Sequence, residues 1–429
     1  MRLYSFVAVV AALTSSLSAQ GLGQLDPPAG PVSDTGKSLD NLPPSTPISA
    51  ATTPGNPGFS LFTITGPGRY HLTGDIVTGG DFTAISISLS GSDGTVEIDL
   101  AGFEIDARLT TTRDVIVAQG ASASRLTVHS GTIRGGRDGI RPARALHARD
   151  LTFIGTGAGA AILLADGSLI ERCSFEDLAG SGVLVNVVIG DEVTVRDCTF
   201  ENVAGNGVIV GSNSRVERVT INRSDSTTAT GVLAGRLSVV RDVTVSNVFG
   251  RAVVVGSNSL VSGLLVDGVA AGIAEYGVEL GTNSRLTASV LNNYNGTLGM
   301  VLAGRNVAID GVTINDSEGF GIFASEPSVT LMNSFVDDTQ GAAVSLATYN
   351  TVRNNSIEAR NSNAPSLVVG SHSVIDSNRF FGNVTITGTE NQVTRNILDF
   401  GDIIETPSAT LNDIGPINDL SSPWTNFDR

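Results

Sequence analysis

Cysteine is nearly absent. Cys173 and Cys198 are the only two in 429 residues, which excludes a disulfide-dense scaffold and a thiolate metal cluster. Lysine is rarer still: Lys37 stands alone, and almost all positive charge is arginine. Methionines number 3 and aromatic residues make up 5% of the chain. Four histidines, His71, His129, His147 and His372, are scattered, so no copper or zinc constellation is present. Nothing in their spacing builds a Ser-His-Asp triad. Positive charge is also outweighed, and a formal net charge of -16 argues against nucleic acid or an anionic membrane surface as partner. Beyond the opening residues there is no long apolar run, so no transmembrane segment is expected.

The opening, MRLYSFVAVVAALTSSLSA, sets Arg2 before an apolar stretch and closes on small residues. Residues 1–19 therefore read as a secretory signal peptide, and a secreted, periplasmic or cell-surface location is expected. Residues 20–58 hold most of the prolines, with glycine and serine and no hydrophobic periodicity, as a linker or arm does. Residues 59–400 carry repeats, and 401–429 form a tail.

The repeats decide the fold. GVIVGSNSRVERVTI at Gly207 returns as AVVVGSNSLVSGLLV at Ala252, as GVELGTNSRLTASVL at Gly277 and as SLVVGSHSVIDSNRF at Ser366. The phase residue recurs at Val183, Val208, Val232, Val253, Val278, Val301, Ile322, Val344 and Leu367, with spacings from 21 to 25 residues, the range of a solenoid. Short β-branched runs punctuated by Gly, Ser and Asn indicate strands rather than helices. Each unit parses into a first strand like VIV, a GSNS turn, a second strand like RVER, a bend, a third strand like VTI and a loop. Left-handed β-helices keep a strict hexapeptide rhythm, which wandering spacings break. The expected fold is all-β: a right-handed parallel β-helix with three strands per coil and about 12 coils.

Stacking coils about 4.8 Å apart superposes equivalent residues. Phe153, Phe175, Phe200, Ile221, Val245, Val266, Ile314, Ile357 and Phe380 then form one inward ladder. Cys173 and Cys198 share the neighbouring ladder with Val219, Val243 and Val312. They are either a disulfide, which export would permit, or two buried thiols in valine-sized places. Asn355, Asn378 and Asn396 share a phase in which stacked amides hydrogen-bond at the bend.

ITGPGRYHLTGDI, AISISL and TVEIDLAGFEI, near the start of the repeats, resemble the first coils of bacterial members of the pectate-lyase-like superfamily of right-handed β-helices. That superfamily holds lyases, hydrolases, epimerases, phage spikes and adhesins, so the resemblance implies a fold and not a reaction. The signatures it implies for uronate-acting enzymes, N-T-D, the His-Gly pair, R-I-K and D-P-H-D, are absent, and IRPAR at 140–144 lacks the spacing of R-x-P-x-x-R.

Three features remain. Arg134, Arg137, Arg141, Arg144 and Arg149 crowd into about one coil of an acidic protein, and arginines fork onto carboxylates and sulfates. The middle position of the first strand is mostly apolar from Leu163 through Leu184, Ile209, Leu233, Val254, Leu302 and Phe323 to Val368. An exposed stripe of that length calls for cover by loops, by the arm or tail, or by a second copy in a homo-oligomer. Glu279 interrupts it, with Asp267, Glu275, Tyr276 and Tyr294 assigned to the loops beside it, and a carboxylate with tyrosines can bind a sugar. Finally, Glu176, Glu201, Asp267, Asp337 and Glu358 share a phase. Asn222, Asn292 and Asn315 relieve their repulsion without metal, and Ca2+ is the alternative.

The expected function is therefore a non-catalytic binding or structural role at the cell surface or matrix, contacting polysaccharide. Its substrate-binding candidates are Arg134, Arg137, Arg141, Arg144, Glu279 and Tyr294, with no metal site. The alternative is a lyase or hydrolase of acidic glycans.

Overall fold

Each coil contributes three short strands, and each strand pairs in parallel with its equivalent in the next coil. The computed structural model describes residues 44–429 except 90–93, 109–111, 119–122, 157–158, 164, 179–190, 225–228, 271–275, 362, 416–426 and 429. The expected signal peptide, most of the arm, Val183, Leu184 and Glu275 lie outside these residues. Among those described there is no helix.

The first sheet runs without a break from Val208–Val210 through Thr230–Ala234, Arg251–Val255, Tyr276–Leu280, Gly299–Ala303 and Phe320–Ala324 to Ile403–Glu405. An earlier part of the same face is built from Ser60–Ile64, Thr83–Ile87, Ile116–Ala118 and Ile140–Arg141. Second and third sheets join where long strands such as Thr194–Val203 and Arg215–Ser224 continue across the bend. There are about 14 coils rather than about 12. Pairing reaches past both sequence-based limits: Thr46–Pro47 lies along Tyr70–His71, and Ile403–Glu405 along Val384–Ile386. Pro54–Asn56 pairs antiparallel with Ser60–Ile64, which occupies hydrogen-bonding groups that an open sheet edge would leave free.

The inward ladder is in register: Phe153 on Phe175, Phe175 on Phe200, then Ile221, Val245 and Val266. The Phe153 and Phe175 rings stack at 5.1 Å, and those of Phe175 and Phe200 at 4.4 Å and 3°. Both cysteines are free and buried. A hydrogen bond shared with Cys198, together with burial, holds the Cys173 thiol well above its ordinary pKa.

The recurring asparagine of GSNS has a backbone cause. Asn213, Asn258, Asn283 and Asn306 all sit at φ between 56° and 60°, the left-handed region that asparagine tolerates better than most residues. The serine at the next position, after Asn213, Leu237, Asn258 and Asn283 in successive coils, turns inward: Ser238 Oγ accepts from Ser214 N–H, Ser259 Oγ from Ser238 N–H and Ser284 Oγ from Ser259 N–H at 3.1 to 3.4 Å. At the bend between second and third sheets the amide ladder forms as expected. Asn355 Nδ2 donates to Asn378 Oδ1 at 2.9 Å, and Asn378 Nδ2 to Asn396 Oδ1 at 3.0 Å. Buried polar groups are thus paired coil to coil.

In-register stacking would also superpose like charges, and this chain alternates them. Along the outer edge of the second sheet, Arg149, Glu171, Arg196, Glu217 and Arg241 lie in one row. The next residues, Asp150, Arg172, Asp197, Arg218 and Asp242, take φ of 51° to 55° at the bend and alternate in the opposite sense. Arg172 Nε bonds Asp150 at 2.7 Å, Arg196 Nε bonds Glu171 at 3.0 Å and Arg218 Nε bonds Asp197 at 2.6 Å. The outcome is a two-row lattice in which, from the coil of Glu171 to that of Glu217, each charge faces its opposite in both neighbouring coils.

Candidate functional site

The crowded arginines separate onto different faces, because consecutive residues of one coil travel around the solenoid. Arg134 leaves the third sheet and bonds Glu104 at 2.8 Å. Arg144 is exposed in the connecting turn, and Arg149 belongs to the lattice of the second sheet. Arg137 and Arg141 meet at Asp114.

Asp114 is 6% exposed. Arg137 approaches one of its oxygens through Nε at 2.9 Å and Nη2 at 2.6 Å. Arg141 Nη1 lies 3.5 Å from the other. With Phe59, Thr83, Thr112, Arg113 and Val117 these groups line a cleft of about 240 Å³ on the outer side of the first sheet. Arg113 lies over the Phe59 ring at 5.0 Å and 3.9 Å from Asp81. Behind Asp114, the buried Asp138 accepts the Ala160 N–H at 2.8 Å. Burial, and then the hydrogen bond and charge of Asp114, push the Asp138 carboxyl above the ordinary range. Arg113 and Asp114 were not singled out from the sequence. The available signal was phase: Arg137 N–H donates to Arg113 O at 2.8 Å, one coil away.

Glu279 does project from the first sheet, in the row that runs Ile209, Leu233, Val254, Glu279, Leu302, Phe323, Ser345 and Val368. The row points outward as expected, but its side chains are half-buried against one another. No fully exposed ribbon exists along its described part. On the third sheet Leu265, Val290 and Phe335 are 39 to 41% exposed, in a row with Thr244 and Thr313. Arg251 Nη1 contacts both Glu279 oxygens at 3.3 and 3.4 Å.

Tyr294 is not at this site. It is 1% exposed, and its hydroxyl accepts the Gly299 N–H at 3.3 Å from within the solenoid. Asn293 before it sits at φ 56°. A left-handed residue resets the in-out alternation of a strand, so Tyr294 turns into the core with Val269 and Ser317. Asp267 is on the third sheet, where it accepts from Asn293 Nδ2.

The carboxylate row is in register from Glu176 to Glu201, then through Asn222 and Ser246 to Asp267. Burial, and then Asp337 and Asp338, raise the Glu358 carboxyl. Among the described residues no group of three or more His, Cys, Asp or Glu is placed to hold a metal ion. His129 is buried against Glu97, and His147 lies 3.1 Å from Glu171.

The family described as the right-handed β-helix region matches residues 139–294 and 298–403. The chain belongs to that family, and its solenoid is a right-handed parallel β-helix. Among solved structures it is similar to the A-module of the mannuronan C-5 epimerase AlgE4 of Azotobacter vinelandii, at 9% identity and a TM-score of 0.44. That match covers 74% of this chain and 91% of that one. It is also similar to PfbA, a surface adhesin of Streptococcus pneumoniae, at 10% identity and a TM-score of 0.18, over 82% and 84%. No curated protein matches the sequence. No helix among the described residues is long and apolar enough to cross a membrane.

Proposed function

We propose that the protein is an exported, non-catalytic glycan-binding solenoid that holds an acidic polysaccharide on the outer side of its first sheet. The observation that carries this reading is the convergence of Arg113, Arg137 and Arg141 on one cleft. Arg137 is committed to Asp114, whereas Arg141, 51% exposed and only loosely paired, has donors to spare. A carboxylate or sulfate on a sugar can take that fork, with charge-assisted bonds worth about 1.5–3 kcal/mol. The acidic remainder of the chain makes the contact local, and salt weakens it.

Polygalacturonate binding, followed by titration calorimetry at low and high salt, tests the reading. Changing Arg113 and Arg141 together to alanine is expected to weaken binding at least about tenfold, equivalent to about 1.4 kcal/mol. Unchanged affinity in the double variant would remove the cleft from the account. The pair Asp114 and Asp138 favours a second reading, hydrolysis or elimination on the same polymer, because a buried carboxyl raised by burial and by a neighbouring carboxyl is a pairing that acid–base chemistry uses. Release of reducing ends or unsaturated product, abolished by Asp114→Asn, would establish it. Silence on both assays leaves the binding role.

A further inference from the structure

Midway along the first sheet, two outward rows carry side chains that the arginine cleft does not involve. Tyr276, Gly299 and Phe320 follow one another in one row, and Glu279, Leu302 and Phe323 in the other. Gly299 contributes no side chain. Across it the Tyr276 ring stacks on the Phe323 ring two coils on, with centroids 6.0 Å apart and planes 15° from parallel. Phe320 leans on the same ring at 5.2 Å and 38°. From the preceding coil Arg251 holds Glu279. Tyr276, Glu279, Phe320, Phe323 and Arg251 are all half-buried. Burial, and then the Glu279 charge, raise the Tyr276 phenol, so at neutral pH it keeps its proton to donate.

We propose that this platform is a second carbohydrate subsite, which binds the uncharged ring of a β-linked hexose oligomer. It rests on the glycan-binding reading but not on the arginine cleft. The rings offer an apolar surface two coil spacings long, about 10 Å, suited to the flat C–H faces of sugars whose hydroxyls are equatorial. Glu279 accepts hydroxyl hydrogens at the edge of that surface, and the Tyr276 hydroxyl donates or accepts there. Arg251 pairs with Glu279, so these two charges offset one another and leave little to select an ion. An apolar protein partner fits less well. It would strip water from the Arg251–Glu279 pair and return no hydrogen bonds, a cost that sugar hydroxyls avoid.

Titration calorimetry with a soluble cello-oligosaccharide tests this on the intact protein. The wild type is expected to bind with an affinity that salt does not change. Tyr276→Ala and Phe323→Ala are each expected to weaken binding at least about tenfold, or about 1.4 kcal/mol, and Tyr276→Phe less. Val368→Ala, in the same row two coils beyond Phe323, should leave it unaltered. Thermal unfolding checks that each variant is folded. If Phe323→Ala is not, Phe323→Leu, which keeps bulk and loses the ring face, decides. No binding by the wild type, or equal binding by Tyr276→Ala and Phe323→Leu, overturns the proposal. Polygalacturonate binding without cello-oligosaccharide binding defeats the platform alone, and absence of both defeats the glycan reading as well.

Discussion

Replacing Glu171 by lysine is expected to lower stability by about 3 kcal/mol, near the bottom of the range for breaking a buried ion pair. The lower figure applies because Glu171 is 8% exposed while its partners Arg172 and Arg196 are half exposed. Burial pushes the Glu171 carboxyl up, but the hydrogen bonds from Arg196 and His147 outweigh it and hold the group below its ordinary value. A carboxyl depressed on folding stabilises above the unfolded value of about 4.3 and loses that contribution as pH falls through the folded one. The gap between wild type and Glu171→Lys, read as a shift in urea midpoint, should therefore be wide at neutral pH and narrow in acid. The lattice adds a sharper expectation. Exchanging the charges of Glu171 and Arg196 would rescue an isolated pair, yet here it sets arginine beside Arg149 and glutamate beside Glu217. The double variant should remain destabilised, and full rescue would show that the pair acts alone.

Phe175→Ala is expected to cost about 3–5 kcal/mol, the transfer free energy of the ring plus the cavity it leaves. Its ring is covered on both sides, by Phe153 and by Phe200, and main chain hydrogen-bonded coil to coil cannot close a gap of that size without breaking register. Phe175→Leu should recover most of the loss, since leucine and isoleucine occupy this ladder elsewhere. Urea unfolding decides: a loss under about 1 kcal/mol for Phe175→Ala would mean that the site collapses freely, unlike other cores.

The phenylalanine and asparagine ladders were legible because in-register stacking writes the same residue type into the same phase of every unit. The strand count per coil followed from the same repetition. What escaped was whatever depends on breaking phase. Tyr294 was assigned to a loop beside Glu279, whereas it closes a strand and the left-handed Asn293 turns it into the core. The arginines of residues 134–149 are close in sequence and far apart around the coil, so their apparent cluster dissolved except at Asp114. Arg113 and Arg251 carry site geometry through partners in other coils, Phe59 and Glu279, and such partners are visible only once the units are aligned. The alternation R-D, E-R, R-D, E-R, R-D at 149, 171, 196, 217 and 241 was also present in the text. It can be seen only by comparing each coil with the next.

That alternation bears on how such a chain can change its length. Excising the coil of Glu171 would bring Arg149 against Arg196 and Asp150 against Asp197, like on like in both rows. Excising it together with the coil of Arg196 would bring Arg149 against Glu217 and Asp150 against Arg218, and the pattern would close again. From residue 149 to 242, then, coils are not interchangeable units. They come in couples, and insertions or losses that the rest of the solenoid could take singly are compatible with this stretch only in even steps.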